Sequence, residues 1–206
     1  RAATQFKEAY NSIEKELNFS PEKIKSSDSN LNAYLENEYL PRLNKNLTKK
    51  TIIEQESSSD IRCRLLQNLY MAANINQVGQ KHYLNGANDS SSYTKLHKSV
   101  HPIIRKYLEK FGYYDIFIVD NETGNIVYSV FKEADYGTSL LNGPFKNTNL
   151  AEAFREARNA DSKDFVKLVD YRPYRPSYNA PAAFIASPIY DNDKKIGVLI
   201  FQLPID

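Results

Sequence analysis

The hydrophobic period of this chain changes at Gly112, and that change most limits what it can fold into. Before Gly112, apolar residues recur every three or four positions, the mark of helices with one buried face. After it they come in short runs of β-branched and aromatic residues separated by turn residues. Helices followed by strands, rather than alternating with them, predict an α+β fold.

In the first half, Ala3, Phe6, Tyr10, Ile13 and Leu17 form a two-heptad stripe, expected to face a partner helix in the same chain or in a second one. Ser20-Pro21 starts a second helix, which the polar run at 26–30 is expected to interrupt. Leu31, Tyr34, Leu35, Leu43 and Leu47 resume a helical face, with Pro41 as a kink. The SSSD run at 57–60 caps a helix carrying Ile61, Leu65, Leu69 and Ala73, and 85–92 is a loop. The last helix carries Leu96, Val100, Ile104, Tyr107 and Phe111 and ends at Gly112.

Beyond Gly112, strands are predicted at 114–120 and 126–131, with NETGN at 121–125 as their hairpin loop. Residues 132–149 read as irregular, and 149–160 as a short helix with Asn149 at its cap. Runs at 165–171, 182–190 and 196–203 complete five strands, the last two joined by a turn at 191–195.

Composition narrows the function. With 27 Lys and Arg against 25 Asp and Glu in 206 residues, a net charge of +2 argues against a nucleic-acid partner. No apolar run approaches the roughly 20 residues of a membrane helix. The single Cys63 excludes an internal disulfide and any multi-cysteine metal site, and reads as a buried structural thiol. There is no nucleophile elbow, phosphate-cradling glycine loop or paired-carboxylate motif, so no enzyme and no cofactor is expected. The start at Arg1 without a leader and the apolar run before Asp206 are expected of a piece of a longer protein.

Two long segments carry a resemblance. FGYYDIFIVDNETGNIVYSVFKEADYGTSL at 111–140 and DYRPYRPSYNAPAAFIASPIYD at 170–191 resemble the first hairpin with its following loop, and the third and fourth strands, of single-Cache, PAS-like sensor domains. Such domains are found in methyl-accepting chemotaxis proteins, sensor kinases and receptor-type nucleotide cyclases. The resemblance implies amino-terminal helices over 1–90 and a Cache domain over 91–206, with a long helix preceding a five-stranded antiparallel sheet. It further implies an extracytoplasmic, periplasmic ligand sensor in the cell membrane, with flanking transmembrane helices and a parallel homodimer formed through the Ala3–Leu17 stripe. The alternative is a cytosolic PAS module for protein association or cofactor binding.

The candidate pocket lies between the sheet and the loops 132–149 and 171–181. Tyr128, Tyr174, Tyr178 and Phe184 are candidate aromatic walls. Lys132 and Arg172 could receive an anionic ligand group, and Asp135 and Asp170 an ammonium or amide, which favours a small polar or zwitterionic ligand. His97 and His101 share a helix face but lack a third ligand, so no metal is expected; they read as one exposed histidine and one packed beside Pro102.

Overall fold

The computed structural model describes residues 1–205. Its helices are α1 (Ala2–Leu17), α2 (Pro21–Tyr34), α3 (Leu40–Asn44), α4 (Ile53–Glu56), α5 (Ile61–Gln67) and α6 (Ser92–Phe111). After them come β1 (Asp115–Asp120), β2 (Ile126–Ser129), α7 (Asn149–Asn159), β3 (Lys167–Tyr174), β4 (Ala180–Asp191) and β5 (Lys194–Gln202). The five strands make one antiparallel sheet in the order β2-β1-β5-β4-β3, so the α+β architecture is the one expected. Among the described residues, no helix is long and apolar enough to cross a membrane.

One face of the sheet packs on helices of the first half. The α1 stripe supplies Phe6, Tyr10 and Ile13, all fully buried against Tyr93 and Leu108 of α6 and Ile116, Ile118 and Tyr128 of the sheet. Its partner is therefore this chain itself, and the expected pairing of that stripe with a second copy is corrected. The same core spans residue 90, joining helices of the first half to the sheet of the second. The other face packs Phe117, Val119, Val198 and Ile200 against α7, through Leu150 and Phe154.

Several local expectations change. The polar run at 26–30 does not break α2, because partners on α5 and beyond hold it. Asp28 pairs with Arg64, and Asn30 donates to Asn68 at 2.7 Å. α2 passes into α3 through a π turn at Leu35–Tyr39, which precedes Pro41, and a second π turn at Asn68–Ala72 continues α5. On α6 the buried face is Tyr93, Thr94, His97, His101 and Leu108, whereas Tyr107 and Phe111 of the expected stripe are exposed. Both histidines are thus buried and neither is solvent-facing: the His82 carbonyl and the Tyr128 hydroxyl take both nitrogens of His101, and the Asn85 carbonyl takes Nδ1 of His97 at 2.6 Å. α7 is capped by Thr148, and Asn149 instead donates to the carbonyls of Ala182 at 2.7 Å and Asp170 at 3.2 Å, pinning the helix to the sheet.

Candidate functional site

β1 opens on Asp115, whose register partner is Gln202, the last residue of β5. Side chains alternate across a strand, so Asp115 lies on the face of Phe117 and Val119, and Gln202 on the face of Val198 and Ile200. The α7 side of the sheet is therefore apolar along its length and polar at this one end.

Asp115 also decides where β2 stops. Its Oδ1 accepts from the backbone N–H groups of Ile116 (2.7 Å), Val130 (2.9 Å) and Phe131 (3.1 Å), and the Val130 N–H is shared with the Ile116 carbonyl at 3.2 Å. The chain then turns at Lys132, whose φ of 61° is in the left-handed region. This gathers a sequence of charges. The Lys132 ammonium donates to the Ser129 carbonyl. Glu133 accepts from the hydroxyls of Tyr114 and Ser177, both at 2.7 Å. Asp135 accepts from the Tyr174 hydroxyl at 2.5 Å. From α5, Gln67 Nε2 donates to the carbonyls of Ala134 (2.9 Å) and Tyr136 (2.8 Å), fixing the loop from the helical side.

Asp115 and Asp135 are fully buried, and Lys132 is 2 % exposed. Burial disfavours the charged form of each group. It pushes Glu133 up to about 8, with Asp135 adding repulsion, and Asp135 up to about 6. Asp115 rises through burial and the nearby Asp135, and Lys132 falls through burial, partly restrained by the Asp115 carboxylate. Three carboxylates thus share a site with one ammonium. Asp115 Oδ2, Asp135 Oδ1 and Gln202 Oε1 are buried with no hydrogen-bond partner among the described residues. All three are acceptors, so what the cluster lacks is donors.

The helical half closes this end of the sheet. A cavity of about 20 Å³ remains between Tyr34, Tyr39, Met71, Lys132, Glu133 and Tyr178, room for a single water. Tyr39 and Met71 come from the two π turns, an irregularity often found beside functional sites. Tyr39 donates to the Arg175 carbonyl at 3.1 Å, and the buried Glu56 lies 3.4 Å from the Arg175 guanidinium. These bonds latch the helical cover to the turn between β3 and β4.

Of the residues anticipated from sequence, Lys132, Asp135, Tyr174 and Tyr178 converge here. Tyr128 is on the opposite face of the sheet, paired in register with Ile118, and reaches the site only through its ring, 4.6 Å from the Lys132 ammonium. Phe184 lies behind Tyr174 in the α7-side core, edge-to-face at 5.1 Å. Asp170 and Arg172 stand apart from the cluster. The pairing of β3 with β4 is irregular between Val169 and Arg172, the segment Asp170–Pro173 faces solvent, and Arg172 pairs with Glu152 of α7 at 2.6 Å. Asp115, Tyr114, Ser177, Gln202 and Gln67 were not anticipated. Asp115 and Gln202 carried a signal, each being a polar residue at the end of an otherwise apolar run.

The histidines form a second polar layer behind Tyr128. His97 and His101 stack at 4.3 Å. His101 Nε2 meets the His82 carbonyl at 2.7 Å and so carries the proton, leaving Nδ1 to accept from the Tyr128 hydroxyl at 2.7 Å. Burial, with the Lys132 charge, holds His101 down to about 3 and His97 well below its ordinary value. Among the described residues, no group of three or more His, Cys, Asp or Glu is placed to hold a metal ion. Burial raises the Cys63 thiol to about 12, so it is a packed, unreactive group.

Neither a protein-family profile nor a curated protein sequence matches the chain. Among solved structures, it is similar to the ligand-binding domain of the Campylobacter jejuni chemoreceptor Tlp3 in complex with 4-methylisoleucine. The TM-score is 0.37 and the identity 11 %, over 97 % of this chain and 60 % of that one. It is also similar to the sensory domain of the same receptor with isoleucine bound, at a TM-score of 0.37 and 13 % identity, over 98 % of this chain and 63 % of that one. A complex of that domain with L-norvaline gives a TM-score of 0.34 and 13 % identity, over 96 % and 60 % of the two chains. The chain spans about three fifths of the length of these solved domains.

Proposed function

We propose that this chain is the ligand-sensing domain of a bacterial transmembrane receptor of the chemotaxis or two-component type, held outside the cytoplasm. It binds a small polar or zwitterionic molecule and passes a conformational bias toward the membrane. The observation that carries this reading is the buried end of the sheet, where Asp115, Asp135 and Gln202 present unpartnered acceptor atoms. A fold retains such a cluster at a cost, because buried polar atoms without partners destabilise it. A ligand with an ammonium or amide group supplies the missing donors.

The closed cavity supports a sensor over a simple carrier. A ligand larger than one water enters only if the helical cover moves, so binding and a change in the packing of α2, α3 and α4 are one event. Self-association of the domain uses a surface other than the α1 stripe, which the fold has already buried.

A thermal-shift screen of amino acids, carboxylates, amines and purines tests the reading. A true ligand at 100 times its Kd stabilises the fold by about 2.7 kcal/mol, and Asp135→Asn weakens its binding by about tenfold or more. A panel without a hit on folded protein, or a hit indifferent to Asp135→Asn, overturns it.

A further inference from the structure

The ammonium of Lys132 sits among three tyrosine rings. Its nitrogen lies 4.6 Å from the ring centre of Tyr128, 5.0 Å from that of Tyr136 and 5.8 Å from that of Tyr70. All three rings are held in place by their hydroxyls, which bond to groups of α6. Tyr70 meets Thr94 at 2.9 Å, Tyr128 meets His101 at 2.7 Å, and Tyr136 donates to Tyr93 at 2.8 Å. What remains toward the cation is aromatic surface, and several ring faces around one positive charge are the recognised geometry for binding organic ammonium groups.

The present occupant fits the cage at a cost. An ammonium has three donors, and among the described residues this one makes a single hydrogen bond, to the Ser129 carbonyl. Its backbone is in the left-handed region at φ 61°, which an ordinary side chain disfavours. The residue is 2 % exposed, so its charge is almost wholly removed from water. An apolar residue would fill the same space without the unmade hydrogen bonds and the removal of a charge from water, and the cage keeps a cation.

We propose that the Tyr70–Tyr128–Tyr136 cage is a binding site for an organic ammonium group, closed in this structure by the ammonium of Lys132, which such a ligand displaces. The cage narrows the ligand class of the sensor to molecules bearing a primary or methylated ammonium, and for that physiological meaning it rests on the sensor reading. Ring faces recognise charge without demanding fixed donor directions, so both kinds of ammonium are admitted. Displacement reaches α6 directly, because each ring is tethered there.

The test replaces the tethered cation by a free one. Lys132→Gly relieves the left-handed backbone and removes the four-carbon stem with its ammonium, and n-butylammonium restores those atoms. In isothermal titration and thermal shift, n-butylammonium is expected to bind Lys132→Gly at least about tenfold more tightly than the parent protein, whose cage is occupied. Neutral n-butanol, of nearly the same size, is expected to bind neither. Should Lys132→Gly not fold by far-UV circular dichroism, Lys132→Asn, which tolerates the same backbone region, takes its place. A folded variant indifferent to n-butylammonium overturns the proposal. So does equal binding of n-butanol, which means an apolar hole, or equal binding by the parent, which means that Lys132 does not close the site. An empty ligand panel would overturn the sensor reading and leave a positive n-butylammonium result standing; a silent n-butylammonium arm does the reverse.

Discussion

The Tyr174 hydroxyl donates to Asp135 Oδ2 across 2.5 Å, joining the end of β3 to the loop after β2 inside the buried polar end of the sheet. Among the described residues it is the one side-chain donor that Asp135 has, and it lowers the affinity of that carboxyl for a proton against the effect of burial. Tyr174→Phe is therefore expected to destabilise the fold by about 1.5–3 kcal/mol, the range for a hydrogen bond to a charged group. Urea unfolding measures it. A loss below about 0.5 kcal/mol would mean that the contact contributes no more than an average surface group.

Glu133 makes stability depend on pH. Its carboxyl is raised from 4.5 to about 8, first by burial and then by the repulsion of Asp135. Folding takes up a proton here, so the contribution of this group is full below its unfolded value of 4.5 and is lost as pH rises through about 8. Glu133→Gln removes that dependence. The stability of the variant relative to the parent should rise steadily between those limits, as read by denaturant unfolding at several pH values. A constant difference would show that Glu133 titrates as it does in water.

His101 works in the opposite sense. Its affinity for a proton is depressed from 6.5 to about 3, chiefly by burial. The unfolded chain binds protons there that the fold refuses, so stability is full above 6.5 and falls as pH drops toward about 3. His101→Gln keeps a hydrogen-bonding side chain and should make the acid limb of the stability curve shallower. An unchanged slope would mean that the loss comes from other groups.

Arg172 and Asp135 should behave differently once a ligand is known. The Arg172 side chain is half-exposed and paired with Glu152 at 2.6 Å, and exposed ion pairs contribute about 0–1 kcal/mol. Arg172→Ala is expected to leave binding unchanged and stability nearly so, whereas Asp135→Asn costs about tenfold or more in affinity. Titration calorimetry on the two variants decides. A large loss with Arg172→Ala would add the exposed segment 170–173 of β3 to the site.

Phe6 reports on the role of the α1 stripe. Its ring is fully buried, 4.8 Å from that of Tyr128 and 5.5 Å from that of Tyr93. Phe6→Ala should cost about 3–5 kcal/mol in denaturant unfolding, as expected of a large side chain deleted from a core. A small loss of stability accompanied by dissociation of a dimer in sedimentation would restore the intersubunit role first expected of this stripe.

Much of the architecture was legible in local pattern. The switch of period at Gly112, the β-rich runs on either side of NETGN and the proline after Ser20 each determine an element through neighbours within a few residues, and those elements are present. Local pattern failed where distant partners intervened. The serine-rich segment at 26–30 stays helical because Arg64 and Asn68 bind it. The buried face of α6 is polar and aromatic rather than its most apolar one, because the loop at 82–85 and Tyr128 supply hydrogen-bond partners to both nitrogens of His101 and to Nδ1 of His97.

The sequence by itself determined the order of helices and strands and the richness of the 132–136 loop in charge, since both are properties of consecutive residues. Only the tertiary structure decided which polar groups meet. Asp115 and Gln202 become neighbours through the antiparallel register of β1 with β5, and Glu133 finds Ser177 across 44 positions of chain. Arg172 and Asp170, in a segment equally rich in charge and tyrosine, are turned to solvent by an irregular edge strand. Register and edge position depend on pairings between remote segments, and no local periodicity encodes the face on which such a pairing leaves a side chain.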